Sequence, residues 1–167
     1  MKILFVNIYL ILVLFSCASV PDIIYYQDDI KLNKRHFRVQ FDKIDSTVLS
    51  NSGNNACAYV MVDISTNGKY GLDSGQADIR AFMNTKKSWL KEEYRNNHRV
   101  LQHELYHFKI SELYARQLRQ ILLSEELTLK KLVELIEEIR ADCSWYQNQY
   151  DEETSHSNSL ELSLIHI

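Results

Sequence analysis

His103-Glu104-Leu105-Tyr106-His107 places two histidines and a carboxylate within five residues of a 167-residue chain. On a helix, positions four apart lie one turn apart on the same side. Both imidazoles can then aim a ring nitrogen at one cation, at about 2.0–2.1 Å for zinc. Glu104, beside the first ligand, can point into the same cavity without being forced to bind. This is the geometry of a zinc hydrolase: the ion lowers the pKa of a bound water towards about 7, and the carboxylate removes its proton for attack on a carbonyl. Glu104 then returns that proton to the leaving amine. The bland alternative is two partly exposed helix histidines paired with nearby acids. Two adjacent buried imidazoles without a metal are costly to protonate and need hydrogen-bond partners.

A catalytic zinc takes a third protein ligand and keeps a fourth position open. His156, in Tyr150-Asp151-Glu152-Glu153-Thr154-Ser155-His156, is the foremost candidate by residue type. Asp151, Glu152 and Glu153 compete locally, and His36 and His98 from elsewhere. His98 stands five residues before His103, which turns it away from the metal on a regular helix.

These side chains need elements to hold them. From about Lys91 to Leu123 there is no proline or glycine, and good helix formers dominate. At 100° per residue, Val100, Tyr114, Leu118 and Ile121 share an arc that includes His103 and His107. Leu101, Leu105, Phe108 and Ala115 form a neighbouring arc. The polar strip of Gln102, Lys109, Arg116 and Gln120 is narrow, so the helix is expected to run through the interior with one wet edge. A second helix is predicted from Thr128, a good N-cap, with Leu129, Leu132, Val133, Ile136, Ile139 and Cys143 on one face. Its pattern fades beyond Tyr146. Upstream, Ala56 to Ile64 and Ala77 to Met83 read as strands, and Asn67-Gly68 as a turn. A small antiparallel sheet followed by two long helices gives an α+β domain, assigned to residues 31–161.

The ends read differently. Residues 1–16 carry one lysine and an apolar run from Ile3 to Phe15, too short to span a bilayer comfortably and matched to a signal-peptide core. The run leads into Leu14-Phe15-Ser16-Cys17, which resembles a bacterial lipobox and makes Cys17 the expected lipidation site. An ordinary secretory signal or a short membrane anchor is the alternative. Residues 17–30 are expected to form an extended linker. Residues 162–167 (LSLIHI) match the translation of a common transposon-derived sequencing adapter, so the segment is set aside from the site, His166 with it. A membrane is thus an expected partner, through the lipid, at the cell envelope facing the periplasm or exterior. The net charge of -3 argues against nucleic acid. Cys57 and Cys143 either pair in that oxidising compartment or stay as buried thiols.

The stretches Ser88-Trp89-Leu90, Leu101 to Ile110 and Glu112 to Arg119 resemble the bacterial domain of unknown function 922 family. These are exported proteins regarded as zinc peptidases, with an HExxHF helix and a later YDxxTxHG element. Tyr150-Asp151, Thr154 and His156 match the second element. The resemblance covers most of residues 31–161 and implies a zincin-like fold, with zinc on His103, His107 and His156, Glu104 as base, and peptide or protein substrates. It implies that Asp151 orients a ligand histidine and that Tyr150 either donates to the oxyanion or packs against the second helix. The chain departs from the family at Leu105-Tyr106, where Gln-Gly is frequent, at Ser157, where glycine stands, and in lacking the closing segment. Two rival functions remain: a non-catalytic envelope lipoprotein with structural or no zinc, and a zinc hydrolase of a non-peptide amide in cell-wall material.

Overall fold

The β-branched and aromatic run after Asn55 becomes extended chain, but as two strands instead of one. A computed structural model describes residues 19–40, 55–66, 77–124 and 127–156. Strands β1 (Ile23–Tyr25), β2 (Arg38–Gln40), β3 (Ala56–Cys57), β4 (Val60–Thr66), β5 (Ala77–Asn84) and β6 (Trp89–Lys91) precede α1 (His98–Ser124) and α2 (Leu129–Thr154). The break at Ala58-Tyr59 has a cause outside the ladder. The Ala58 amide donates to Glu104 Oε2 at 2.5 Å, and the Tyr59 amide to Ser88 Oγ at 2.9 Å.

The strands form two three-stranded sheets, ordered β1-β5-β4 and β2-β6-β3. The first is antiparallel throughout, with Val60 opposite Met83 and Ile23 opposite Asn84. The second is mixed, because β2 runs parallel to β6. The architecture is α+β, strands first and two long helices after them.

The stretch read as a linker, residues 17–30, belongs to the domain from Ile23 onward. β1 covers the second edge of β5, which would otherwise leave a row of backbone groups unpaired. Just past β1, the Tyr26 amide donates to Ala81 O at 2.9 Å, and its ring meets Phe108 edge-on with centroids 5.4 Å apart. Cys17, the signal-peptide segment, Asn67-Gly68 and residues 162–167 lie outside the described residues.

α1 starts later than its composition suggests. Trp89–Lys91 is drawn into β6, a 3-10 turn follows, and Asn97 Oδ1 then receives the Arg99 and Val100 amides at 2.9 and 3.4 Å. That satisfies two of the donors a helix start leaves open. Phe108, Ala115, Leu118 and Leu122 of α1 pack against Val62, Ile79, Ala81 and Met83 of the first sheet, joined by Leu132 and Ile139 of α2. A smaller cluster of Tyr106, Ile110, Cys143 and Tyr150 ties α2 to α1.

α2 begins where expected, with Thr128 Oγ1 accepting from the Lys131 amide at 3.3 Å. It ends two turns beyond the point where the apolar pattern stops, at Thr154. Ser155 closes it in the left-handed region, and His156 follows at φ 50°. Among the described residues no helix is long and apolar enough to cross a membrane.

Candidate metal centre

His103 and His107 do share one side of α1, and that side is inside the protein. Their exposures are 3% and 8%, and the rings meet edge to face with centroids 4.7 Å apart. The two Nε2 atoms are 3.0 Å apart. Asp151, from the last turn of α2, places Oδ1 3.0 Å from each of them. Two nitrogens and one carboxylate oxygen thus form a triangle, able to hold a metal ion. Bonds of about 2.0–2.1 Å in a tetrahedral shell set neighbouring donors roughly 3.3–3.4 Å apart. A triangle with 3.0 Å edges is close to one face of such a shell, and the donor types suit a divalent transition metal.

Asp151 stands where a ligand stands. A carboxylate that only orients a histidine takes the ring nitrogen turned away from the metal. Here the outward nitrogens are otherwise engaged: His107 Nδ1 meets Gln147 Oε1, and His103 Nδ1 lies 3.4 Å from Thr154 Oγ1. The mutual attraction also shows in the titration of His107 and Asp151. Burial pulls the His107 imidazole down, but the Asp151 hydrogen bond and the charges of Glu104 and Asp151 outweigh it and leave its pKa raised. Burial pushes the Asp151 carboxyl up, and its hydrogen bonds to both histidines overcome this and hold it well below the usual range.

His156 sits at the edge of the trio. Its Nδ1 is 3.5 Å from Asp151 Oδ1, and its side chain is 40% exposed. The left-handed backbone at Ser155 and His156 folds the chain back over the end of α2 and brings the ring there. Glu152 and Glu153 are exposed, as is His98; His36 instead accepts the Asn33 amide in a 3-10 turn.

Glu104 is 3% exposed and lies beside the trio. Burial pushes its carboxyl pKa up, against the pull of the His107 and His103 charges and of the Ala58 amide. That amide holds Oε2. A cleft of about 360 Å³ opens over the centre, walled by Asn55 to Val62 on one side and by Arg140, Cys143, Ser144 and Gln147 of α2 on the other. Cys57 and Cys143 are free thiols on its wall, and burial first, then the Glu104 and Asp151 charges, push the Cys57 thiol up to about 12.

Tyr150 is used for packing. Its ring stacks on His103 at 4.8 Å with planes 22° apart and lies edge-on to His107 at 5.1 Å. It lines a second cavity, with Tyr106 and Tyr146, and not the cleft. Sequence reasoning passed over Gln147, whose amide touches His107 at two points. The signal was present: Gln147 stands four residues before Asp151 and four after Cys143, on the face of α2 that meets α1. A comparison with known proteins adds no name to this centre: no protein-family model matches the chain, nor does any curated protein or solved structure.

Proposed function

We propose that the chain is a zinc-dependent metallopeptidase, lipid-anchored through Cys17 in a bacterial cell envelope and related to the domain of unknown function 922 family. The observation that carries the reading is the placement of Glu104: a buried carboxylate beside a two-histidine, one-aspartate triangle, at the wall of a cleft. Zinc suits this mixed nitrogen and oxygen donor set. When bound, the ion supplies Lewis acidity, which acidifies water and polarises a carbonyl.

The remaining work falls to the chain's own groups. Glu104, anchored at Oε2, accepts a proton from the attacking water at Oε1 and delivers it to the departing amine as the C–N bond breaks. Its raised pKa suits a group that must both take and give a proton. A peptide substrate is favoured by the cleft wall, since β4 pairs only with β5 among the described residues and Val60 to Val62 line the cleft. An extended chain can add to such an edge through main-chain hydrogen bonds. In the full chain loaded with zinc, Glu104→Ala is expected to keep the metal and lower the peptide-hydrolysis rate by about 100- to 10,000-fold. Equal rates in the two proteins refute the mechanism.

The position of His156 favours one rival. With Nδ1 3.5 Å from Asp151 Oδ1, His156 is at hand as a further donor, and four protein ligands make a closed, structural site. A cobalt-loaded protein whose visible spectrum ignores added hydroxamate supports that reading; a shifted spectrum supports an open position.

A further inference from the structure

We infer that Gln147 is a positioning residue that fixes the tautomer of His107, so that a lone pair and not a proton faces the metal position. The inference rests on the metal-centre reading above. It starts from the side-chain amide, whose two ends differ in what they can bond. The Nε2 end of Gln147 donates to His107 O at 2.9 Å and lies 3.1 Å from Ser111 Oγ. A backbone carbonyl only accepts, so the NH₂ group must be at that end. Oε1 is therefore the end that meets His107 Nδ1, and it also only accepts. Asp151 Oδ1 also only accepts, but His103 Nε2–H can serve it at 3.0 Å; the proton of a neutral His107 then sits on Nδ1, where Gln147 Oε1 takes it.

The consequence appears on the other side of the ring. With Nδ1 protonated, Nε2 turns its lone pair towards Asp151 Oδ1 and His103 Nε2, each 3.0 Å away. A cation at that point relieves the crowding of acceptors, whereas the opposite tautomer would fill it with a hydrogen. Gln147 reaches this position from α2, and both its contacts to His107 are partly buried. Ser111, itself fully buried, backs the amide on the same helix as His107. The amide thus grips main chain and ring of one residue, which sets both the ring's rotation and its proton.

Two measurements on the full chain test this. Long-range ¹H–¹⁵N spectra of the metal-free protein, at alkaline pH where imidazoles are neutral, should show His107 protonated at Nδ1. In Gln147→Leu the signal should move towards the Nε2–H form, and cobalt affinity should fall by about 10- to 100-fold. Gln147→Glu keeps an acceptor on Nδ1 and should bind cobalt more tightly than Gln147→Leu. An Nε2–H tautomer in the wild type overturns the inference without any variant, so a Gln147→Leu that does not fold leaves it decidable. Unchanged cobalt affinity in a folded Gln147→Leu overturns it too. A wild type that shows the Nδ1–H form yet binds no cobalt refutes the metal reading and leaves the tautomer assignment standing.

Discussion

One oxygen of Asp151 lies 3.0 Å from two imidazole nitrogens, so the charges of Asp151 and His107 bear on one another. In the metal-free protein the signs can be worked out singly. The Asp151 carboxyl is held below its ordinary 3.8, so its contribution to stability is present above that value and is lost as pH falls through the lower folded value. His107 is raised above 6.5, so its contribution is present below 6.5 and is lost as pH climbs through the folded value. Glu104 is raised as well, so its own contribution is present below 4.5 and is lost as pH climbs through its folded value. The pair is therefore most stabilising between the two ordinary values. Urea denaturation of metal-free wild type and Asp151→Asn should differ most in that window, by about 1–3 kcal/mol. The difference should shrink at both extremes. A gap that is flat across pH would mean that the contact is not an ion pair.

At the scale of elements, the helices were legible where side chains pack against apolar neighbours and opaque where they serve the centre. α1 announces itself because Val100, Phe108, Ala115, Leu118 and Leu122 repeat at helical spacing and are buried. The last turns of α2 do not, because beside Tyr150 their inward residues are Gln147, Asp151 and Thr154, polar groups whose partners across the helix interface no apolar period announces. A reading by apolar period has to stop at Tyr146. The division of the Ala56 to Thr66 run into β3 and β4 was equally hidden, since it depends on Glu104 taking the Ala58 amide from 46 residues away in sequence. β1 is only three residues long, and its apolar character means little until β5 presents an edge. The end of α2 also carries strain that can be measured. Ser155 is left-handed at φ 48°, ψ 47°, a conformation that glycine adopts without the Cβ clash. Relief of roughly 1–2 kcal/mol of left-handed strain, less glycine's larger unfolded-state entropy, means that Ser155→Gly should raise stability by about 0.5–1 kcal/mol in denaturant titrations, with zinc affinity unchanged. If affinity falls with it, the serine side chain contributes to holding His156 beside Asp151.

At the scale of the whole molecule, the centre joins elements that are otherwise unequally fastened. Among the described residues α1 packs on β4, β5 and α2, whereas α2 has α1 as its one extensive partner. The candidate ligands come from both helices, two from α1 and one from α2. An ion held by them closes a link between the sheet-bound part of the chain and α2. A ligand that binds only the folded state stabilises it by about 2.7 kcal/mol at a free concentration 100 times its Kd. For a chain of this size that corresponds to a rise in Tm of roughly 5–10 °C. Zinc should produce such a rise in the wild type, a chelator should reverse it, and Asp151→Ala should abolish most of it. The location of the effect is the sharper part of the prediction. Hydrogen exchange should slow most in the last turns of α2, around Gln147 to Thr154, because that is the segment the ion would tie down. Slowing confined to α1 would mean that the two histidines bind the metal without Asp151, and that the last turns of α2 are held by side-chain packing and hydrogen bonds without the ion.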